Sequence, residues 1–307
     1  MGRDYFLDKD IIVDKDRNIY LVFSNVNPYG YIYAMLKYVY TGKGLWKGYE
    51  RVLKYYGVNN MLRLSQEFLM EPCCDVTFPI LRLSSVSKHL KPEEKALELI
   101  KHASGSKHEI SFLELYTALG VRQIGITGSL LAGINHENSD LDIVIYGCED
   151  TLHVMNNFDG FEEDKDWIVE TSRNYGLTLD YSKQLYDKRT RGVIKGIKFS
   201  ILFVDPRPQR PCKEVCKRKG EITITAEVEN GSCDALFYPS KVILHNVNVV
   251  SGKVGLKPEI LVSYEGIYST LLFKSRKIEA NGMLVECEKP IIVVGDRDVP
   301  GYIRRIL

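Results

Sequence analysis

Residues 121–147 read VRQIGITGSLLAGINHENSDLDIVIYG, and this stretch decides the fold. Val121–Thr127 is short, apolar and β-prone, which predicts a buried strand. Gly128-Ser129 breaks it. Leu130-Leu131-Ala132 starts a helical turn, Gly133 ends it or begins a loop, and Asn135–Ser139 is polar turn material. Asp140–Ile145 is a second strand, stopped at Gly147. Alternation places Asp140 and Asp142 on one face and Leu141, Ile143 and Ile145 on the other, toward a core. Two carboxylates side by side repel unless a cation lies between them. An oxygen-only donor set suits Mg²⁺, which completes its shell with water and substrate phosphates. Gly128-Ser129, at a strand-to-helix turn, offers backbone N–H groups, a hydroxyl and the positive end of a helix, an anion site suited to a triphosphate.

Thr127-Gly128-Ser129 followed by Ser139-Asp140-Leu141-Asp142 resembles the polymerase-beta-type nucleotidyltransferase superfamily, whose signature is Gly-Ser after one strand and Asp-x-Asp on the next. The resemblance covers roughly Leu113–Val204. It implies a small mixed sheet with flanking helices, a nucleoside triphosphate, two Mg²⁺ ions (or Mn²⁺) and nucleotidyl transfer. More narrowly, with the N-terminal run NPYGYIYAMLKYVYTGKGLWKGYERVLKYYGV, the chain looks like an archaeal group of predicted nucleotidyltransferases of unknown substrate.

The bulk composition is ordinary for a globular protein: 307 residues, 45% hydrophobic and 26% charged. That length allows two or three domains. A net charge of +1 gives no global field toward nucleic acid or membrane. Seven cysteines form no secreted-type framework, and no signal peptide or transmembrane run stands out. The expectation is a cytoplasmic, mostly reduced protein without membrane contact. Abundant charge, Tyr and Ile with scarce Gln would also fit a thermophile, where cytosolic disulfides occur.

The expected organisation is an N-terminal α+β domain (1–90), a nucleotidyltransferase-like domain (91–205) and a C-terminal all-β, barrel-like domain (206–307). Asn18–Phe23 and Tyr31–Tyr40 read as a strand pair, and Tyr49–Tyr56 as a helix or another strand. Lys37, Lys43, Lys47, Arg51 and Lys54 interleave with Tyr33, Tyr38, Tyr40, Trp46, Tyr49, Tyr55 and Tyr56 there. A single-stranded nucleic acid platform needs that mixture, but a tyrosine-rich core with solvated lysines is the preferred interpretation. Cys73-Cys74 read as buried thiols. Pro92–His102 and Ile110–Leu119 are helices by their end signals. Leu179–Arg191 reads as a helix carrying Lys183, Lys188, Arg189 and Arg191; Arg189 and Arg191 join the candidate nucleotide ligands.

Gly196–Val204 is a strand, and there the chain departs from the superfamily, which normally carries a third carboxylate at this place. Lys198 or Ser200 holds the position. Glu170, Asp180 and Asp205 are candidate substitutes. Lys198 could instead hold triphosphate, or pair with the aspartates in place of a metal. DPRPQRP (205–211) reads as a linker. Beyond it the expected strands are Glu221–Glu229, Lys241–Val250, Glu259–Tyr264, Thr270–Ile278, Met283–Cys287 and Ile291–Val294, with turns at Asn230-Gly231, Ser251-Gly252 and Asn281-Gly282. Their spacing suggests a small closed or nearly closed barrel, a substrate-docking module or a structural domain. Cys212 and Cys216 lack a second metal-spaced pair, which argues against zinc.

Two functions fit these residues. One is a metal-dependent nucleotidyltransferase moving a nucleoside monophosphate from a triphosphate to an acceptor, RNA among the candidates: Asp140 and Asp142 as catalytic metal ligands, Gly128, Ser129, Lys198, Arg189 and Arg191 on the nucleotide. The other is a catalytically degenerate relative that binds nucleotide or RNA without chemistry. Nothing in the sequence sets the oligomeric state or the base preference.

Overall fold

The computed structural model describes residues 3–55, 57–71, 76–102, 104–252 and 255–306, so the expectation for Cys73-Cys74 lies outside the described residues. The architecture is mixed α+β. Residues 1–54 and 81–209 form one compact unit, and residues 55–80 and 210–307 form a second. The break expected near residue 90 thus falls inside the first unit.

The first unit opens with β1 (Ile11–Asp14), β2 (Ile19–Val22), β3 (Tyr31–Tyr40) and β4 (Tyr49–Arg51). Next in the chain come α1 (Val58–Met61) and the antiparallel pair β5 (Glu67–Glu71) and β6 (Val76–Arg82), which lie largely in the second unit. With β7 (Val86–Leu90), the strands β4-β3-β2-β1-β7 pair antiparallel in that order. Their sheet is buried on both faces. Ile12, Val22, Ile32 and Ala34 gather on one side; Ile11, Ile19, Leu21 and Tyr38 gather on the other. That two-sided burial is why Tyr31–Tyr40 shows no clean alternation in sequence. Tyr33 and Tyr38 are core residues and Lys43 and Lys54 are exposed, in keeping with the preferred interpretation, while Lys37 is buried. A buried network fixes this segment's start. Asp10 accepts from Arg3, from His89 Nε2 (2.8 Å) and from the Leu7 N–H (2.9 Å), while Glu93 accepts from Arg3 Nε (2.8 Å) and from the Tyr146 hydroxyl (3.0 Å).

The same unit continues with α2 (Pro92–His102), α3 (Lys107–Leu119), β8 (Ile124–Ile126), α4 (Gly128–Leu131), β9 (Leu141–Tyr146), α5 (Cys148–Asn157), α6 (Lys165–Tyr175), α7 (Leu179–Leu185), β10 (Arg191–Ile194) and β11 (Ile197–Val204). Helix α3 starts three residues earlier than expected because Ser106 and Glu109 form a capping box. The strand order is β10-β11-β9-β8, with β9 and β11 parallel and the other pairs antiparallel. Leu141, Ile143 and Ile145 are fully buried, as alternation predicts. Gly125 lets α2 lie directly on β8: a Cβ there would stand 2.6 Å from Pro92 Cβ.

The helix expected over Leu179–Arg191 stops at Leu185. Asp187 explains the stop. Its carboxylate takes the Arg189 N–H (2.9 Å) and its carbonyl takes the N–H groups of Thr190 and Arg191 (3.0 Å each), a local turn that competes with the helical ladder. Arg189 therefore lies on a turn and Arg191 on β10.

In the second unit β12 (Lys217–Val228), β13 (Ser240–Gly252), β14 (Ile260–Ser263), α8 (Ser269–Lys274), β15 (Lys277–Glu286), β16 (Ile291–Val294) and β17 (Tyr302–Arg305) follow in order. The pairing β12-β13-β14-β16-β15-β12 closes a five-stranded barrel, and β17 adds to β15. Two local expectations fail here. Thr270–Ile278 is a helix followed by the start of a strand, because Leu271, Leu272 and Phe273 are all buried and a helical turn brings such neighbours into one core. Asn281-Gly282 is not a turn; β15 runs through it. The Asn281 amide donates to Glu221 (2.8 Å) and Thr223 (3.0 Å) on the adjacent strand β12, and Gly282 passes so close to β16 that any Cβ would meet the Val293 carbonyl.

The expectation of mostly reduced thiols is also corrected. Cys216 and Cys287, brought together by the β12–β15 register, form a disulfide, and Cys148, Cys212 and Cys233 are disulfide-bonded as well. Among the described residues, no helix is long and apolar enough to cross a membrane.

Candidate nucleotidyl transfer site

The site grows from the β8–α4–β9 connection. The Thr127 N–H donates to the Asp142 carbonyl (2.9 Å) and its hydroxyl to the Lys9 carbonyl (2.6 Å), so the strand end is held from two sides. Gly128 then takes φ +69°, a conformation glycine adopts without strain. A Cβ on Gly128 would run into the Asp142 carboxylate and stand 3.2 Å from its Cγ. Gly128 thus gives the backbone its turn and leaves room for the acid. Helix α4 is a single turn of four residues, so its dipole adds little, and Ser129, its second residue, is half-buried. The chain returns through Ile134, whose N–H meets the Ser129 carbonyl at 3.0 Å. Ser139 caps the next turn, its hydroxyl accepting from the His136 N–H (2.9 Å) and its carbonyl held by His108 Nε2 (2.8 Å).

Asp142 is half-buried and Asp140 exposed at the strand's mouth. Among the described residues neither side chain has a hydrogen-bond or ion-pair partner. The Asp140 carboxyl is pushed up to about 6. Although the residue keeps part of its surface exposed, loss of water around its carboxyl contributes most, then the charge of Asp142, with Lys198 opposing and Asp164 and Glu170 adding to the rise. Negative charge collected and left uncompensated is the electrostatic condition for a cation.

Strand β11 supplies the neighbouring column. Ser200 pairs with Asp142 across the parallel β9–β11 register, and Arg191 pairs with Ser200 across β10–β11. The Arg191 guanidinium donates to the Ser200 hydroxyl at 2.8 Å and lies 5.1 Å from the centre of the Trp167 ring. Asp142, Ser200 and Arg191 therefore form one row across the sheet. Lys198, two residues earlier, turns its ammonium to the start of α6, reaching Asp166 at 3.1 Å, Asp164 at 3.4 Å and Glu170 at 3.9 Å. Partial burial works against its charge, but these acids more than offset that and its pKa is raised.

The structure thus brings together Gly128, Ser129, Asp140, Asp142, Lys198 and Arg191. It does not bring Arg189, whose guanidinium is spent on Asp187 (2.7 and 3.0 Å) and the Met155 carbonyl. Of the substitute acids considered from sequence, Glu170 stands near the aspartates. Asp180 is exposed on α7, where Lys183 approaches at 3.8 Å, and Asp205 is bound by Arg207. Sequence reasoning missed Asp164 and Asp166. Their signal was there: Asp164 is the cap of α6, accepting from the Trp167 N–H (3.2 Å), and a cap with acids in the following turns points carboxylates off a helix start.

Residues 106–204 match the family model for a nucleotidyltransferase domain. No curated protein and no solved structure matches the chain. The match spans about a third of the chain, includes Gly128, Ser129, Asp140, Asp142, Arg191 and Lys198, and supports the polymerase-beta-type nucleotidyltransferase superfamily for this segment.

Proposed function

We propose that this chain transfers a nucleoside monophosphate from a nucleoside triphosphate to an acceptor, with RNA among the candidate acceptors, and that it needs Mg²⁺ or Mn²⁺ to do so. The observation that carries the proposal is the pairing of a mandatory glycine, Gly128, with the carboxylate of Asp142, next to an unpartnered Asp140 whose pKa is raised to about 6. The donor set fits a hard divalent cation: carboxylate oxygens, open coordination space and excess negative charge. Asp140 and Asp142 would hold the ion, which would supply charge neutralisation on the triphosphate oxygens.

The chain's own groups do the rest. The Gly128-Ser129 backbone and the Ser129 hydroxyl donate to phosphate oxygens. Arg191, fixed by Ser200 and Trp167, lies on the same sheet face and can meet the negative charge of the departing pyrophosphate. The acceptor oxygen bonds to the α-phosphorus as the bond from that phosphorus to the bridging oxygen breaks, and the acceptor's proton leaves to water. Positioning and electrostatics account for such a reaction without a covalent intermediate.

A second reading, binding without chemistry, rests on one specific observation: β11 carries Lys198 and Ser200 where the superfamily carries an acid. The α6 acids that surround Lys198 supply carboxylates of their own, which favours the enzyme. The test is label transfer from each of four α-³²P ribonucleoside triphosphates to total cellular RNA and protein, with Mg²⁺ or Mn²⁺, alongside calorimetric titration with and without EDTA. Metal-dependent binding and transfer, both lost in Asp140→Asn/Asp142→Asn, is the expected result. Binding indifferent to EDTA without transfer would establish the second reading instead.

A further inference from the structure

We propose that Trp46 and His136 form the surface that holds the nucleobase of the incoming nucleoside triphosphate; this rests on the function proposed above. The β3–β4 hairpin belongs to a different sheet from the Asp-x-Asp strand, yet its loop reaches the segment between Ser129 and Asp140. Lys47 Nζ donates to the Gly133 carbonyl at 3.0 Å. Trp46 and Tyr49 pack against the same core cluster as Leu131 and Ala132, a cluster that contains Ile134, and all three of these residues follow Gly128-Ser129. The Trp46 and His136 ring centres lie 5.8 Å apart, tilted by 55°.

The loop is fixed rather than loosely draped. The N–H groups of Thr41 and Gly42 both donate to the Gly48 carbonyl at 3.0 Å, and the Thr41 hydroxyl donates to the Lys43 carbonyl at 2.9 Å. Tyr38, in the core, backs the indole at 5.5 Å between ring centres. Trp46 itself stays only half-buried. The imidazole is fixed too. His136 Nδ1 accepts the Asn138 N–H (3.2 Å), so in the neutral ring the hydrogen sits on Nε2, which has no partner among the described residues.

A half-buried indole and a ring N–H donor beside it make a stacking surface with one hydrogen bond to give. A planar heteroaromatic ring with an acceptor atom satisfies both, and every nucleobase is one. Packing alone would need neither the donor nor the exposure. The hairpin is thereby assigned a purpose at the site of the neighbouring sheet: phosphates on the Gly128-Ser129 side, base on the Trp46–His136 side.

The experiment compares two probes in the presence of Mn²⁺, inorganic tripolyphosphate and the four ribonucleoside triphosphates, by titration calorimetry on the full chain. The wild type should bind at least one nucleoside triphosphate about tenfold more tightly than tripolyphosphate. Trp46→Ala should abolish that margin and leave tripolyphosphate affinity unchanged. Trp46→Phe should keep most of the margin, and His136→Ala should narrow it. The nucleotide should quench indole emission more than tripolyphosphate does, and Trp46→Phe should remove that difference. Equal wild-type affinity for both probes would overturn the assignment, as would a Trp46→Ala variant that loses both probes together, since Trp46 would then only prop the Gly128 turn. If neither probe binds the wild type, the transfer function falls with it. Should Trp46→Ala not fold, Trp46→Phe, His136→Ala and the quenching comparison decide the matter.

Discussion

Gly128→Ala and Gly133→Ala separate the backbone from the site. Both glycines lie in the left-handed region, at φ +69° and +70°. Alanine at either costs about 1–2 kcal/mol in stability for that conformation alone. At Gly133 a Cβ meets nothing within 4 Å, whereas at Gly128 it collides with the Asp142 carboxylate, with Cγ at 3.2 Å and Cβ at 3.4 Å. The carboxylate is the free end of a short side chain, so it can rotate away at a cost of about 0.5–1.5 kcal/mol. In rotating it abandons Asp140. Losing one charge-assisted ligand is worth about 1.5–3 kcal/mol, or roughly ten- to a hundredfold in affinity. The two variants should therefore melt within a few degrees of each other, while Mn²⁺ affinity, followed by electron paramagnetic resonance of the free ion, falls at least tenfold only in Gly128→Ala. Equal metal affinity in the two variants would refute the idea that Gly128 is a glycine for the sake of Asp142.

Metal affinity should also depend on pH through Asp140. Its pKa is raised from 3.8 to about 6, so Mn²⁺ binding should level off above about pH 6 and weaken as pH falls through it, close to tenfold per unit; a flat Mn²⁺ titration between pH 5 and 7 would contradict that. In the metal-free protein the folded state holds the extra proton between those two values, so Asp140's contribution to stability is lost as pH rises through that window. In the second unit Glu265, which accepts the Val58 N–H at 2.9 Å, has its pKa raised by burial from 4.5 to about 7. The raised value means this contribution, too, is lost as pH climbs from 4.5 to 7, so Glu265→Gln should stabilise the protein by about 1–3 kcal/mol at pH 8 and barely at pH 4, measured by urea unfolding. The Cys216–Cys287 disulfide spans 71 residues, for which loop entropy predicts about 4 kcal/mol; Cys216→Ser/Cys287→Ser should lower the guanidinium midpoint accordingly, and an unchanged midpoint would show that the bond adds no stability.

The parts of the fold that were legible in the sequence are those where one local rule acts alone. β9 is buried on both faces farther along, Val144 and Tyr146 included, so alternation speaks only at its start, where Leu141 and Ile143 turn to the core while Asp140 is exposed and Asp142 half-buried. Pro92, Glu93 and Glu94 mark the start of α2, and Lys101 and His102 its end, by dipole and backbone preference. Misreadings arose where two rules compete and a distant partner decides. Asn281-Gly282 has the composition of a hairpin turn, but Glu221 and Thr223, nearly sixty residues away in the chain, offer the Asn281 amide better bonds and β16 leaves no room for a larger residue than glycine. Leu179–Arg191 has helical composition, but Asp187 diverts the backbone N–H groups that would continue the ladder.

The site itself shows the same division. Gly128, Ser129, Asp140 and Asp142 are adjacent in sequence and could be read there. The charge that surrounds them is not, because α6, β10 and β11 converge only in space. Their convergence changes the meaning of Lys198. From sequence, a lysine in the place of an acid looks like a disabled site. In the structure Lys198 faces Asp164, Asp166 and Glu170, each nearer to it than 4 Å, rather than ion-pairing with Asp140 or Asp142. An ammonium so placed neutralises part of the α6 acids and holds the helix start against β11. Lys198→Met should then release that negative charge toward the aspartates, raise the Asp140 pKa further and strengthen Mn²⁺ binding above pH 7, where all the acids are ionised. A lysine that instead takes the place of the metal predicts the opposite sense of dependence: triphosphate binding in the wild type without Mn²⁺, and its loss in Lys198→Met. Calorimetry with Mn²⁺ alone and with triphosphate alone, on the wild type and this one variant, distinguishes the two by the sign of each change.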